Sequence, residues 1–284
     1  MKNNKFNAKE LTVKAMELRK VVLDMITGAG CGHIGGDFSV MDILVTLYFD
    51  QMNISPENQD DPDRDYFVMS KGHSVESYYA VLAAKGFFPT EDVVNRFSRF
   101  GSPYIGHPNN ELPGIEMNTG SLGHGLPVCT GIALSCARDH RPSRVYTVIG
   151  DGELAEGSVW EGFMAAGHYG LSNLCAVIDR NQLQISGTTK EVMNHENLFR
   201  QAESFGWHVI EVNGNDIAEL HEAFEEARSV TDKPSCIIAD TVKGYGGGEG
   251  MENRVPWHHH VPTREEYEQI LAALDKRLEV LRNE

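Results

Sequence analysis

Basic residues are scarce in this chain. Its 284 residues carry 41 aspartates and glutamates against 25 lysines and arginines, a formal net charge of −16. Nucleic acid and anionic membranes both need a basic face, so neither is an expected partner. A phosphorylated ligand stays open, because a single pocket can be positive locally. Cysteine is sparse and scattered, at Cys31, Cys129, Cys136, Cys175 and Cys236. An odd number with no CxxC pair excludes a disulfide framework and a cysteine zinc site. Reduced thiols in a cytoplasm are the simplest reading. No run approaches the ~20 apolar residues that a membrane-spanning helix needs. The opening MKNNKFNAKE is polar and lacks the apolar centre of a secretory signal. Internal repeats, low-complexity tracts and linkers are also missing. What remains is 41% hydrophobic and 23% charged, as in ordinary globular proteins.

The periodicity then gives the fold class. Leu11, Ala15, Leu18, Val22 and Met25–Ile26 recur at helical spacing over residues 7–28. A second helix is expected over Ser39–Phe49 with Ser39 as its N-cap, and a third over Glu76–Lys85 closed by Gly86. Strands are expected at Tyr66–Ser70, Val145–Ile149, Leu174–Asp179, Trp207–Val212 and Ser235–Val242. Helices over 157–169, 197–205 and 216–229 fall between the later strands. Such alternation implies an α/β fold with a mostly parallel central sheet and helices on both faces. The tail from Arg264 to Leu281 reads as a last helix. We expect one domain over 1–284, with a helical N-terminal extension to about residue 60 and a C-terminal helix over about 263–282. Gly244–Gly250 is expected to be an active-site loop.

Two loops at strand ends carry candidate chemistry. Gly150–Asp151–Gly152 follows one expected strand, at the edge where open α/β sheets bind ligands. Its glycines let backbone amides approach phosphate oxygens. Asp151 is a hard oxygen ligand suited to Mg²⁺. Asn181 follows the next strand, with 28 residues between it and Gly152, the length of one crossover. Asp-Gly also marks ordinary tight turns, which is the bland reading of both loops. Histidines number 12, and His33, His73 and His107 sit in glycine- or proline-bearing loops. Singly, each reads as an exposed polar residue. Three in similar settings ahead of the GDG element suggest proton-handling groups.

GDG with a downstream asparagine resembles the thiamine-diphosphate motif, and Gly150-Asp151-Gly152-Glu153-Leu154-Ala155-Glu156-Gly157 resembles its transketolase form. The resemblance runs from about His33 to His258. It implies a thiamine-diphosphate-binding fold. It implies Mg²⁺, with Ca²⁺ or Mn²⁺ as substitutes, held by Asp151, Asn181 and the carbonyl of Leu183. It implies a cofactor site drawn from His73, Gly120, Leu122, Gly152, Glu153, Asn181, Lys243 and His258. His33, His73, His107 and His258 correspond to the family's catalytic histidines, and Glu156 to a glutamate at the subunit interface. Of His258-His259-His260, only His258 matches the family. Two departures stand out. His33-Ile34-Gly35 replaces the usual HPG, and His124 replaces a glutamine in Gly120-Ser121-Leu122-Gly123-His124-Gly125.

The activity implied is transfer of a two-carbon ketol unit from a ketose to an aldose. In this family a glutamate on a second, pyrimidine-binding domain activates the cofactor. No second set of strands and helices follows Leu281, so a separate C-terminal transketolase subunit is expected to supply it, in an α₂β₂ assembly. Substrates are expected to be sugar phosphates or related sugars, sulfonated ones included. The alternatives are a chain resembling deoxyxylulose-phosphate synthase or the α chain of a 2-oxo-acid dehydrogenase, or a non-catalytic regulatory protein that keeps a cofactor site.

Overall fold

The structure is a computed structural model that describes residues 6–195 and 197–283. Half of the polar N-terminal decapeptide therefore lies outside the described residues. Five parallel strands form one sheet in the order β1-β2-β3-β5-β4. They are β1 (Tyr66–Met69), β2 (Val145–Gly150), β3 (Leu174–Arg180), β4 (His208–Asn213) and β5 (Ser235–Asp240). β1 to β3 step across the sheet in one direction, and β4 to β5 steps back. Right-handed crossovers then put the intervening helices on opposite faces.

Side chains on the strands alternate accordingly. Val145, Ile149, Ala176 and Ile238 face α5 (Gly125–Arg138), α6 (Gly157–His168) and α8 (Leu198–Ser204). Tyr146, Val148, Val177 and Ile237 face α1 (Ala8–Ala29), α2 (Ile34–Thr46), α3 (Val75–Lys85), α9 (Ile217–Ser229) and α10 (Arg264–Asn283). Two short helices, α4 (Thr90–Arg96) and α7 (Thr189–Val192), lie in the loops after α3 and β3. Both faces of the central strands are covered, which explains why β2 and β3 read as apolar runs, whereas the edge strand β4 is only partly buried.

Helix α1 starts at Asn7, whose side chain accepts from Glu10 N, and ends at the left-handed Gly30. Its Arg19 is fully buried and binds Asp42 of α2 through both terminal nitrogens, at 3.2 and 2.6 Å. Its Nε and one of those nitrogens also reach the Phe38 carbonyl.

Three expectations need correction. Helix α2 begins at Ile34, not Ser39, and every one of its residues is buried. Gly35 and Gly36 hide its first turn from a sequence reading, because glycine disfavours helix in isolation. Ser39 lies inside the helix, and its hydroxyl donates to Asp179 at 2.7 Å instead of capping. Helix α5 is additional to the expected elements, since Pro127 and Gly131 interrupt its pattern. Gly244–Gly250 does not line the cavity described below. A Cβ on Gly246 would lie 3.2 Å from Leu274, and one on Gly248 3.3 Å from Ala273, so the stretch packs against α10.

Candidate active site

The carboxyl ends of β1, β2, β3 and β5 lie along one sheet edge, with Gly150 in register with Asp179 and Arg180 with Asp240. A cavity of about 390 Å³ opens there. It is lined by His33, Lys71, His73, Gly120, Leu122, Asp151, Gly152, Glu153, Asn181, Leu183, Lys243, His258 and His259 among others. The catalytic, cofactor and metal residues expected from the sequence thus share one cavity wall, His107 excepted. His107 sits at the rim, exposed, with its ring 6.3 Å from that of His33.

The GDG turn is held by its own acid. Asp151 accepts from Gly152 N at 2.8 Å and from Gln182 N. Gln182 adopts a left-handed conformation at φ 63°, which turns its amide to Asp151. Non-glycine residues take that conformation at a cost, and such strain collects at functional sites. Asp151 is 6% exposed. Burial, then the Asp179 carboxylate, push its pKa up to about 6. A divalent cation would reverse that shift. Asn181 Oδ1 accepts from Leu183 N at 3.1 Å. A carboxylate, an amide oxygen and a main-chain carbonyl form a hard-oxygen donor set suited to Mg²⁺.

Lys243 Nζ lies 3.0 Å from the Leu183 carbonyl and 2.9 Å from His258 Nδ1. Burial, then repulsion from Lys71, lower its pKa to about 8. The glycines leave room that side chains would take. A Cβ on Gly152 would lie 2.9 Å from Gln184, and one on Gly120, at φ +141°, would lie 2.4 Å from the His107 ring.

Beside this donor set stands a group of imidazoles. The His33 ring is 5.3 Å from His73, 5.9 Å from His258 and 4.1 Å from His259. Burial, followed by the neighbouring His259, lowers His33 to about 4. Burial and then Lys243 lower His258 to about 3. Burial and then Lys71 also hold His73 well below its ordinary value. These rings are neutral at pH 7, so each offers one N–H donor and one lone pair.

Several supports are invisible in the sequence. Glu153 is expected at the cofactor, but its carboxylate faces the protein. It accepts from Ser70 Oγ at 2.5 Å, Gly123 N at 2.8 Å and Gly150 N at 3.0 Å. It therefore ties together the loops after β1, before α5 and after β2. The fully buried Asp179 accepts from Lys71, Ser39 and Thr241. Lys71 belongs to the cavity wall, and its place beside Gly72–His73 is the signal that could have found it. The family match favours His258 alone, yet His259 stacks edge-on against His33. Loop geometry, not spacing, puts it there. His124 lies outside the cavity, where its Nδ1 is 3.0 Å from the Ser121 carbonyl. Glu156 is exposed at the start of α6.

Residues 10–266 match the family model described as transketolase, thiamine diphosphate binding domain. The chain is 44% identical to an apulose-4-phosphate transketolase subunit from Phocaeicola vulgatus, covering 96% of this chain and 97% of that one. It is 40% identical to the 6-deoxy-6-sulfo-D-fructose transketolase subunit SqwG of a Clostridium species, covering 94% and 97%. A transketolase from Pichia stipitis superposes with a TM-score of 0.86 at 31% identity, over 93% of this chain and 40% of that one. The chain thus spans nearly all of the two subunit relatives but less than half of this solved transketolase.

Proposed function

Because the chain belongs to the transketolase family through its thiamine-diphosphate-binding domain, we propose that it is the diphosphate- and metal-binding subunit of a transketolase made of two kinds of chain. The observation that carries this reading is a single cavity holding both the oxygen set of Asp151, Asn181 and Leu183 and the neutral imidazoles of His33, His73 and His258. Transfer of a two-carbon ketol unit from a ketose to an aldose needs both parts.

The residues present fit the cofactor. Among the described residues no cation forms a salt bridge with the buried Asp151 carboxyl, and Gly152 keeps a side chain out of the space beside it. Asp151, Asn181 and the Leu183 carbonyl would hold Mg²⁺ against a diphosphate, with Gly152, Lys243, His73 and His258 around the phosphate oxygens. Gly120 and Leu122 would form the wall for the rings. Bound thiamine diphosphate would supply stabilisation of negative charge on the donor's carbonyl carbon, the charge left when the neighbouring carbon–carbon bond breaks. The chain's own residues handle protons. His33 and His73, neutral at working pH, can take a proton from a substrate hydroxyl and return it. Their N–H groups, with His107 and His259 at the rim, can stabilise developing alkoxide.

The activating glutamate is assigned to a partner chain with a pyrimidine-binding domain, in an α₂β₂ assembly in the cytoplasm. Two observations support this. The acidic residues lining the cavity are Asp151 and Glu153; the Glu153 carboxylate faces the protein, and both carboxylates are engaged by backbone amides of this chain. Relatives matched over nearly their whole length are themselves named as subunits. Substrates are assigned to sugars ending in phosphate or sulfonate, following those relatives' names. Lys71 is paired with Asp179 and Lys243 is assigned to the diphosphate, so the grip on that terminal anion is assigned to the partner. The test is His33→Ala in the assembled enzyme. We expect turnover to fall about 10²-fold or more, as for loss of a general acid–base, while cofactor affinity changes little. Unchanged two-carbon transfer would refute the assignment.

A further inference from the structure

Behind the histidines lie two acids that the proposed chemistry does not use. Asp37 is on the first turn of α2, four residues after His33. Glu76 is on the first turn of α3, three residues after His73. Both are 0% exposed. Asp37 Oδ1 accepts from Ser77 N at 2.9 Å, and Ser77 Oγ donates to the Asp37 carbonyl at 2.8 Å, clipping α3 to α2. The remaining Asp37 oxygen and both Glu76 oxygens are buried without a hydrogen-bond partner of good geometry. The groups turned toward the Glu76 carboxyl are the Asp37 carboxyl and the amides of His33 and of Glu76 itself. The contact with the His33 loop is close, since a Cβ on Gly32 would lie 2.5 Å from Glu76 Oε1.

Three orphaned oxygens in a dry site are costly. Two adjacent buried carboxylates cannot both keep their charge. One proton resolves both problems. Placed between Glu76 and Asp37 Oδ2 it satisfies two of the oxygens, and the His33 amide serves the third. We propose that Asp37 and Glu76 share a single proton across the α2–α3 contact, and that Glu76 thereby acts as a positioning residue for His33. Burial pushes both carboxyls up from their ordinary range. The other titratable groups facing the pair are Lys71, His33 and Tyr79. Lys71 is already paired with Asp179. The pair touches neither cavity nor solvent, so its role is to fix the backbone from which the His33 ring projects.

The proton is read on the full chain without any turnover. In ¹³C-glutamate-labelled protein at pH 7.5, the infrared carbonyl band of a protonated glutamic acid should be present and should vanish in Glu76→Gln. The sign of the pH dependence follows. A carboxyl whose folded pKa is raised stabilises fully below its unfolded pKa, near 4.3, and loses that contribution as pH rises through the folded value. Glu76→Gln keeps the neutral shape and removes the titration. Its melting temperature should therefore gain steadily on wild type from pH 5 to pH 8. A flat difference, or a band unchanged by the substitution, overturns the shared proton.

The positioning role rests on the transketolase reading and is tested in the assembled enzyme. Glu76→Leu should lower kcat about 10²-fold, the scale of a small misplacement of a reacting group, with KM little changed. Glu76→Gln should restore most of it. Equal losses in the two variants overturn positioning, and if Glu76→Leu does not fold, a large loss in Glu76→Gln alone does so. An inactive wild-type assembly would instead count against the transketolase reading, leaving the infrared and melting results to decide the proton.

Discussion

Replacing Glu153 by glutamine removes one charge and changes the shape little, yet it should cost much of the site's order. The carboxylate takes three donors, from Ser70, Gly123 and Gly150, at 2% exposure. A glutamine can satisfy only part of this set. If its oxygen faces Ser70 and Gly123, its NH₂ meets the Gly150 amide, donor against donor. Flipped, the NH₂ meets the Gly123 amide while the serine hydroxyl can turn. Either way one charge-assisted bond is lost and one buried donor is stranded. Those losses are about 1.5–3 and 1–3 kcal/mol respectively, together roughly 2.5–6 kcal/mol. For a chain of this size that lowers the melting temperature by about 10 °C. Thermal and urea melts of the full chain measure it, with Glu156→Gln as an exposed control expected to stay within about 0.5 kcal/mol. Because Glu153 joins three loops of the cavity, thiamine-diphosphate affinity should fall as well. A Glu153→Gln chain that melts with wild type would refute the claim that this carboxylate braces the site.

Two further predictions follow from buried charge. Arg19→Leu leaves the buried Asp42 carboxylate with Asn215 as its remaining side-chain hydrogen-bond partner among the described residues, and should cost about 3–5 kcal/mol; much of that should return in Arg19→Leu/Asp42→Leu, measured by urea midpoints. His33, lowered to about 4 in the fold, titrates near 6.5 when unfolded. Between those values the unfolded chain binds the extra proton, so stability present above pH 6.5 drains away as pH falls toward 4. His73 and His258 act in the same direction. Urea midpoints at pH 7.5 and 5.0 should differ less in His33→Asn than in wild type, and an equal difference would count against the burial argument.

Much of the fold and the site is legible in the sequence, and the exceptions have reasons. The central strands can be read because a sheet covered on both faces makes them apolar runs. The GDG and asparagine loops can be placed because both strands end at one edge, so their spacing by one crossover becomes proximity. The start of α2 escapes because Gly35 and Gly36 carry no periodic signal; they fold as helix only inside the packed core, next to Lys71, Ser74 and Trp257. Lys71, Asp179 and Ser39 come from three distant segments, and only the fold unites them. His259 shows the limit of reading a histidine run. Three consecutive imidazoles cannot share one target, but the 3₁₀ turn at Val255–His258 sends the two histidines 258 and 259 into the same cavity. Glu153 reads as a cofactor contact because it follows the GDG, whereas its side chain points back into the protein.

As proposed above, this chain would hold the metal, the diphosphate and the proton-handling histidines of a ketol-transfer site, and a second chain would complete it. Reconstitution tests this most directly. The chain is titrated with a candidate pyrimidine-binding partner in the presence of Mg²⁺ and thiamine diphosphate, and two-carbon transfer from a phosphorylated or sulfonated ketose is followed together with CO₂. Transfer should rise with added partner, saturate at one partner per chain, and release no CO₂. Full activity from this chain alone, or turnover accompanied by CO₂, would contradict it.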